Sequence, residues 1–186
     1  MIILASSSQR RIELLKDAGV SFEVIPSDVS EDINLELTPE ENAMLIAKNK
    51  ALDVFSKNPN RVVLAADTLV VFENKIFGKP ESKEEALEML KTLNNETHHV
   101  ITGVAIISKT KEDVFYSKAS VTFKNLLDVE LMEYVETGEV FGKAGAYAIQ
   151  GLGKKLVETY TGDFFTIVGL PLKEVLEKLE LIKNAE

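Results

Sequence analysis

Strand-like and helix-like segments alternate along almost the whole of this 186-residue chain. Runs rich in Val, Ile, Thr and Phe predict strands, and apolar residues spaced by three and four predict helices. Some strands lead into helices and others into tight turns, which is typical of an α/β protein with a mixed sheet. The predicted strands are 1–5, 20–25, 61–66, 68–72, 98–107, 114–124 and 156–160, and the predicted helices are 9–17, 39–56, 83–93, 128–138 and 171–181.

Two of these helices carry explicit start signals. TPEE at 38–41 and SKEE at 82–85 have the spacing of a capping box, in which a hydroxyl and a later glutamate cap each other's backbone N–H groups. Proline at the first helical position strengthens the first signal. Asp128 is predicted to cap a later helix, and the glycine-containing stretch 139–153 is predicted to be a loop.

Composition excludes several classes of site. The chain has no cysteine, which rules out disulfides, thiolate catalysis and Cys-based metal sites. Its two histidines are the neighbours His98 and His99, whose side chains would face opposite ways on a strand. A His-rich metal site and a Ser-His-Asp triad are therefore disfavoured.

Charge and hydropathy restrict the partners and the location. The net charge of −9 disfavours general binding to nucleic acid, which depends largely on neutralising phosphates, although it allows a local basic pocket. No apolar run approaches the roughly 20 residues that a membrane-spanning helix needs. The first residues resemble a strand instead of a signal peptide. The sequence therefore predicts a cytoplasmic protein with no nucleic-acid and no membrane partner.

The segment LASSSQRR at 4–11 joins the first strand to the first helix. Backbone N–H groups at a helix N-terminus form a natural anion site, serine hydroxyls add donors, and arginine offers a planar fork suited to phosphate. Arg10 and Arg11 in the first turn oppose the helix dipole, a small penalty that an arriving anion would offset. The alternative is a serine N-cap followed by two solvated arginines, and the segment alone leaves both open.

Asp67 is the single acid in the apolar run LAADTLVV at 64–71. A carboxylate within a buried strand is costly unless it is paired, binds a metal or has a shifted pKa. This position makes Asp67 a candidate general base or metal ligand. The alternative is an aspartate that breaks the strand in a turn, with Thr68 hydrogen-bonding nearby. The apolar residues on both sides favour the functional interpretation.

Two lysines give weaker signals. Lys50 falls on the apolar stripe of the helix at 39–56, where a lysine that snorkels at the edge of the stripe is the simpler explanation. Lys79 lies in FGKP at 77–80, where glycine permits close approach of the backbone to a ligand and proline stiffens the chain. Taken singly, Lys79 is a turn lysine.

The segment GKAGAYAIQG at 142–151 is rich in glycine and small residues. Glycine loops can bind phosphate, but this one lacks the spacing of a P-loop. Gln150 carries an amide that can donate and accept at once, which suits the edge of a nucleotide base. On its own the segment favours a close-packed turn.

Three carboxylates cluster in the loop after the second strand, at Asp28, Glu31 and Asp32. Near phosphates, two or three carboxylates would hold a hard divalent cation such as Mg²⁺. More often such a run is a solvated loop, and the spacing leaves both interpretations open.

In this order, the segments resemble the Maf-like nucleoside triphosphate pyrophosphatases. The resemblance is carried by LASSSQRRIELL at 4–15, AADTLVV at 65–71, GKP at 78–80, HHVITGV at 98–104 and GKAGAYAIQG at 142–151. One departure is visible, because the family usually has Ser-Pro-Arg-Arg in the first loop and Gln9 replaces the proline here. Proline at a helix start mainly presets φ, so its loss should loosen the loop slightly without removing chemistry.

The resemblance implies a role for each matching position. Asp67 falls on the family's catalytic acid, and together with Glu31 it is expected to hold Mg²⁺ or Mn²⁺. The positions expected to bind the substrate are Ser6, Arg11, Lys50 and Lys79. The positions that match the substrate-selecting residues of the branch acting on dTTP and UTP are Arg10, Thr68 and Gln150.

The same resemblance implies a fold, an assembly and a reaction. The fold is a single α/β domain over residues 1–186, with an elongated, twisted mixed sheet flanked by helices and two lobes around a central cleft that holds the nucleotide. The assembly is a homodimer. The reaction is hydrolysis of dTTP or UTP, or of a modified pyrimidine nucleotide, to the monophosphate and pyrophosphate, by metal-assisted attack of water on the α-phosphorus.

The sequence is also compatible with two other functions. A nucleotide-binding regulator of cell division with little turnover would share every phosphate-binding residue but would not need Asp67 or a metal. A monophosphatase that uses Asp67 as its nucleophile is the weaker alternative. Such enzymes commonly have a second aspartate nearby, and none lies within two residues of Asp67.

Overall fold

The computed structural model describes residues 1–183 and contains seven strands and six α-helices over that range. Two short 3₁₀ turns, Ala144–Ala146 and Leu152–Leu156, precede the last strand. The strands are β1 (Ile2–Leu4), β2 (Phe22–Val24), β3 (Val63–Phe72), β4 (Lys75–Phe77), β5 (Thr97–Ile107), β6 (Glu112–Phe123) and β7 (Val157–Thr161). The helices are α1 (Gln9–Asp17), α2 (Pro39–Lys57), α3 (Lys83–Leu93), α4 (Asp128–Glu136), α5 (Phe164–Val168) and α6 (Leu172–Lys183).

All seven strands belong to one mixed sheet, in the order β2-β1-β3-β5-β6-β7 with β4 paired to β3. β1 pairs in parallel with β2 and β3, whereas β4 pairs antiparallel with β3 and β7 antiparallel with β6. A mixed sheet flanked by helices confirms the predicted fold class. Among the described residues, no helix is both long and apolar enough to span a bilayer.

Contacts within the chain divide it into two compact units. The first unit contains Met1–Asp67, Thr102–Ser117 and the described residues 169–183. The second unit contains Thr68–Ile101 and Lys118–Val168. Each unit therefore takes residues from β3, β5 and β6.

The core of the first unit follows the alternation of side chains along its strands. One face packs against α1 and α6, in a cluster of Ile2, Leu4, Leu15, Leu64, Ala66, Val104, Ile106, Leu170, Val175, Leu179 and Ile182. The other face packs against α2, in a cluster of Ile3, Ala5, Ala47, Ala51, Val54, Val63, Ala65, Ala105 and Ile107. Because successive side chains point to opposite faces, these strands bury both faces and carry nearly continuous apolar runs.

The start and the packing of α2 are set by two local features. Thr38 Oγ1 accepts the N–H of Glu41, and the Glu41 carboxylate accepts the N–H of Thr38, which is the predicted capping box. Further along, a Cβ at Gly103 on β5 would lie 2.2 Å from both the carbonyl carbon and the oxygen of Ala43. Only glycine at 103 lets the helix backbone approach the sheet this closely.

The second unit contains a cluster of three buried rings from β5, β6 and the segment at 142–151. His98, Phe123 and Tyr147 pack edge to face, with ring centroids 4.8 to 5.4 Å apart. Nε2 of His98 lies 2.7 Å from the Tyr147 hydroxyl. Burial, aided by the charge of His99, lowers the pKa of His98 to about 3, so this imidazole is neutral at physiological pH.

Three predictions of local structure are wrong. β3 continues through Asp67, so the strand is not broken there. Asp128 is the first residue of α4 and not its cap, because the N–H of Leu127 is held by the Glu130 carboxylate at 2.8 Å. In the second predicted capping box, Ser82 accepts the Glu85 N–H as expected, but the Glu85 carboxylate accepts the N–H of Glu81 instead of that of Ser82.

Candidate active site

Strand alternation and helix periodicity bring Lys50 and Asp67 together in the first unit. Asp67 continues the series of β3 residues whose preceding members, Val63 and Ala65, pack against α2. Lys50 lies on the buried stripe of α2, next to Ala51. Its Nζ lies 2.8 Å from Oδ1 of Asp67, and the side chains are only 10% and 9% exposed. Lys50 thus does not snorkel, so the simpler explanation of its place in the stripe is wrong.

Glu31 adds a second carboxylate to the same ammonium. Its Oε1 lies 2.7 Å from Lys50 Nζ, and its side chain is 42% exposed. The loop between β2 and α2 thus delivers one half-exposed carboxylate beside the buried Asp67. The three groups together carry a net charge of −1 when all are ionised.

Asn42 fixes the loop that carries Glu31. Its Nδ2 donates to the carbonyl oxygens of Asn34, Leu37 and Thr38 at 2.9, 3.2 and 3.0 Å, and its Oδ1 accepts the N–H of Asn34 at 2.8 Å. The residue is only 1% exposed. The sequence analysis did not identify Asn42. The signal that could have found it is an amide next to the apolar stripe of α2, because a buried polar side chain needs hydrogen-bond partners.

Ser6 and Arg11 meet where β1 leads into α1. Arg11 Nη1 donates to Ser6 Oγ at 3.2 Å, and Arg11 Nε donates to the carbonyl oxygen of Gly169 at 2.8 Å. Ser6 Oγ also accepts the N–H of Ser8, and the side chain of Ser8 makes no capping bond to α1. The alternative of a serine cap followed by two solvated arginines is therefore wrong for Arg11, which is 8% exposed.

The charge on Arg11 is coupled to the acidic cluster. The pKa of Arg11 is lowered to about 10, chiefly by burial. The carboxylates of Asp67 and Glu31 partly oppose this shift, and the charge of Arg10 adds to it. The guanidinium therefore stays cationic at neutral pH. Its electrostatic interactions with Asp67 and Glu31 couple the β1–α1 turn to the residues that surround Lys50.

The oxygen donors fit a hard divalent cation that is also bound by a substrate. Glu31 and Asp67 approach one ammonium from two sides, and Mg²⁺ commonly binds through one or two carboxylates plus phosphate oxygens. Within residues 1–183, no three His, Asp or Glu side chains are arranged to hold a metal by themselves. A cation bound at these two carboxylates would therefore need further oxygen ligands from phosphate or water.

The second unit holds a separate group of the predicted residues. Lys79 follows β4 and is exposed, as is Gln150. Their segments are joined, because the N–H of Gly145 donates to the carbonyl oxygen of Gly78 at 3.2 Å. Gly145 has a φ of +67°, and a Cβ there would lie 2.9 Å from a methyl carbon of Val70. Glycine at 145 is therefore required for this close packing.

The model of the family described as Maf-like protein matches residues 1–182. The chain belongs to the Maf-like family. The dTTP/UTP pyrophosphatase of Acholeplasma laidlawii is 50% identical over 181 residues, covering 97% of this chain and 95% of the relative. That of Caldicellulosiruptor bescii is 49% identical over 177 residues, covering 92% and 89%. The solved Staphylococcus aureus Ham1 protein is 22% identical, with a TM-score of 0.39 over 67% of this chain and 72% of that one.

In this Maf-like chain the predicted site residues fall into two sets. The first unit holds Ser6, Arg10, Arg11, Glu31, Lys50 and Asp67, and the second holds Thr68, Lys79 and Gln150. Direct contacts link Ser6 to Arg11 and link Lys50 to both acids. Thr68 follows Asp67 on β3, is half-buried and points to the opposite face of the strand.

Proposed function

We propose that this chain, acting as one domain over residues 1–186, hydrolyses dTTP and UTP to the nucleoside monophosphate and pyrophosphate. The observation that carries the proposal is the buried contact between Lys50 and Asp67, with the Glu31 carboxylate on the same ammonium. The relatives named dTTP/UTP pyrophosphatase, which are 50% and 49% identical over nearly the full length, support the same substrates.

Asp67 is proposed to act on the attacking water. A buried carboxylate held on one oxygen by an ammonium has a fixed orientation, which suits a group that positions water and accepts its proton. The water oxygen bonds to the α-phosphorus, the bond from that phosphorus to the bridging oxygen breaks, and pyrophosphate leaves. The proton passes to Asp67 and then to solvent.

Glu31 and Asp67 are the residues that would hold Mg²⁺ or Mn²⁺ together with phosphate oxygens. Such an ion, when bound, neutralises phosphate charge and lowers the pKa of bound water. The Glu31 side chain is 42% exposed, so ions from solvent can reach its carboxylate. Asp67 serves either as the base or as a metal ligand in this proposal.

The cationic groups are proposed to bind the triphosphate. Arg11 and Lys50 place two nearly buried positive charges in the first unit, and Lys79 adds an exposed one in the second. Ser6 Oγ accepts from Arg11 and from Ser8, and its own O–H is proposed to donate to a phosphate oxygen. Charge stabilisation of this kind supplies most of the catalysis in phosphoryl transfer.

Arg10, Thr68 and Gln150 are proposed to select the base. Uracil and thymine both present one ring N–H donor flanked by carbonyl acceptors. The exposed Gln150 amide can donate to a carbonyl and accept from the N–H at the same time. Cytosine lacks the N–H at this position, so the pairing would be lost.

The assembly is proposed to be a homodimer, which light scattering of the purified chain tests.

The decisive experiment measures pyrophosphate release from a panel of nucleoside triphosphates with Mg²⁺ or Mn²⁺. Wild type is compared with Asp67→Asn and with Asp113→Asn, whose aspartate pairs with Lys178 outside the site. We expect dTTP and UTP to be cleaved by wild type and Asp113→Asn, and Asp67→Asn to lose about 10²–10⁴ in kcat while staying folded. Full turnover by a folded Asp67→Asn protein contradicts the proposal. Nucleotide binding without cleavage by wild type would instead indicate a regulator.

A further inference from the structure

Glu139, just after α4, accepts three hydrogen bonds in the second unit. The Tyr134 hydroxyl donates to its Oε2 at 2.6 Å, the N–H of Leu152 donates to Oε1 at 2.9 Å, and the N–H of Gly153 donates to Oε2 at 2.8 Å. A single carboxylate thus holds two consecutive backbone N–H groups, two and three residues after Gln150 in the chain. The position of Glu139 is fixed in turn by its own N–H, which donates to Thr137 Oγ1.

Tyr134 holds the other side of the same turn. Its hydroxyl oxygen accepts the N–H of Ala148 at 3.3 Å, two residues before Gln150. The N–H of Gly151 donates to the carbonyl oxygen of Ala148 at 3.1 Å, which closes the turn around Gln150. The backbone on both sides of Gln150 is therefore held by a buried tyrosine and its glutamate, while the Gln150 side chain is exposed.

The glycines after Gln150 match these contacts. A Cβ at Gly151 would lie 1.9 Å from Glu139 Oε1. A Cβ at Gly153 would lie 2.8 Å from the Tyr134 hydroxyl and 2.6 Å from the Ala148 carbonyl oxygen. A Cβ at Gly153 would clash with the backbone of Ala148, whereas a Cβ at Gly151 would displace the Glu139 carboxylate from the N–H groups that it accepts.

The protonation states of the pair suit this arrangement at neutral pH. Burial tends to raise the pKa of Glu139, but the hydrogen bonds from Tyr134, Leu152 and Gly153 outweigh it and leave the pKa below its ordinary value. Burial, and then the hydrogen bond to Glu139, raises the pKa of Tyr134. The tyrosine therefore stays a donor and the glutamate an anionic acceptor.

We propose that Tyr134 and Glu139 are positioning residues that hold Gln150 in the orientation in which its amide pairs with the pyrimidine. This inference rests on the proposed function, in which the Gln150 amide recognises the pyrimidine base. Neither residue touches the reacting atoms. Their loss should therefore weaken recognition of the base, seen as a higher KM and lower discrimination, and should leave kcat nearly unchanged.

The test compares Glu139→Gln and Tyr134→Phe with wild type, using kcat and KM for dTTP, UTP and dCTP. Glu139→Gln keeps the shape but replaces a charged acceptor of two N–H groups, and Tyr134→Phe removes the hydroxyl. We expect KM for dTTP to rise by about two- to tenfold per variant, which corresponds to one hydrogen bond, with kcat within about twofold. The preference for dTTP over dCTP should fall by a similar factor.

Two controls separate positioning from a purely structural role. Glu136→Gln is the matched control, because Glu136 lies on α4 with Tyr134, three residues before Glu139, and makes an exposed ion pair with Lys83. It should leave KM and discrimination unchanged. In a Gln150→Ala background, Glu139→Gln should cause no further loss of discrimination, since residues that act through one another are not additive. Additive losses of discrimination would overturn the proposal.

Direct binding makes failure of the inference distinguishable from failure of the proposed function. Calorimetry gives the Kd of dTTP and dCTP, and hydrogen exchange reports the amides of Leu152 and Gly153 without nucleotide. Faster exchange in Glu139→Gln with an unchanged ratio of Kd values overturns the positioning role alone. A wild-type chain that neither cleaves nor binds a pyrimidine nucleotide overturns the proposed function and this inference together.

Discussion

The ammonium of Lys50 lies 2.8 Å from Asp67 Oδ1, and each side chain has lost about nine-tenths of its exposure to water. The Glu31 carboxylate lies 2.7 Å from the same nitrogen. Removing charges from water is costly, and the penalty is offset only when opposite charges remain in good geometry. Lys50 therefore stabilises the fold of the first unit by giving the buried Asp67 a partner of opposite charge.

Lys50→Met should be strongly destabilising because it leaves Asp67 buried without its cation. Breaking a buried pair in this way costs about 3–5 kcal/mol of unfolding free energy, which urea denaturation measures. Lys48→Met is the matched control on the same helix, because Lys48 pairs with Glu112 at the surface. Exposed pairs contribute little, so similar losses for the two variants would contradict a special role of the buried pair.

Asn42→Ala should release the loop that carries Glu31. The variant removes four hydrogen bonds to that loop and to the start of α2. We expect a loss of about 1–3 kcal/mol, faster proteolysis within residues 26–37, and a fall in kcat that is not additive with Glu31→Gln. Asn58→Ala is the control, because Asn58 Nδ2 makes one bond, to the carbonyl oxygen of Val54 near the end of the same helix. Equal rates of loop cleavage in the two variants would refute the role of Asn42.

For Lys50 and Asp67, sequence patterns predicted where each residue lies but not that the two are in contact. Helix periodicity placed Lys50 on the buried stripe of α2, and the apolar run around Asp67 identified a buried acid. Neither pattern says which residue lies opposite, because the partners are 17 positions apart and meet only through packing of a helix on a sheet. Snorkelling and ion pairing of a lysine give the same sequence pattern.

The sequence did not predict the residues whose side chains hydrogen-bond to the backbone of loops. Asn42 and Glu139 bind N–H and carbonyl groups of loops, and no periodicity describes such partners. By contrast, the capping box at Thr38 needed only residues four apart or fewer, and it was confirmed. The N-cap residue of α4 is Leu127, whose N–H donates to the Glu130 carboxylate, and not Asp128 as expected. Local signals thus predicted most of the elements, although not β4 or α5, while the site depended on tertiary contacts.

Gly103→Ala should disturb the first unit through α2. The added methyl would lie 2.2 Å from the backbone of Ala43, and backbone cannot yield as a flexible side chain can. We expect a loss of about 3 kcal/mol or more from overpacking, seen in thermal unfolding, together with lower kcat because α2 carries Lys50. Gly78→Ala is the control for stability, since a Cβ there meets nothing within 4 Å. Equal melting temperatures for the two variants would contradict close packing at Gly103.

His98 should make the protein sensitive to mild acid. Its pKa falls from 6.5 to about 3 in the folded state, chiefly through burial. Below pH 6.5 the unfolded chain takes up a proton that the folded chain does not, so this contribution is complete above pH 6.5 and is lost as the pH falls toward 3. One proton corresponds to a slope of about 1.4 kcal/mol per pH unit.

His98→Gln should remove that slope, because glutamine cannot titrate and can still hydrogen-bond the Tyr147 hydroxyl that His98 Nε2 contacts at 2.7 Å. The measurement is the free energy of unfolding in urea at a series of pH values from about 4 to 7, where other groups contribute equally to both proteins. His99→Gln keeps the buried imidazole and should therefore retain the loss of stability below pH 6.5. If wild type and His98→Gln lost stability in parallel as the pH fell, the buried imidazole would not be the cause of the acid sensitivity.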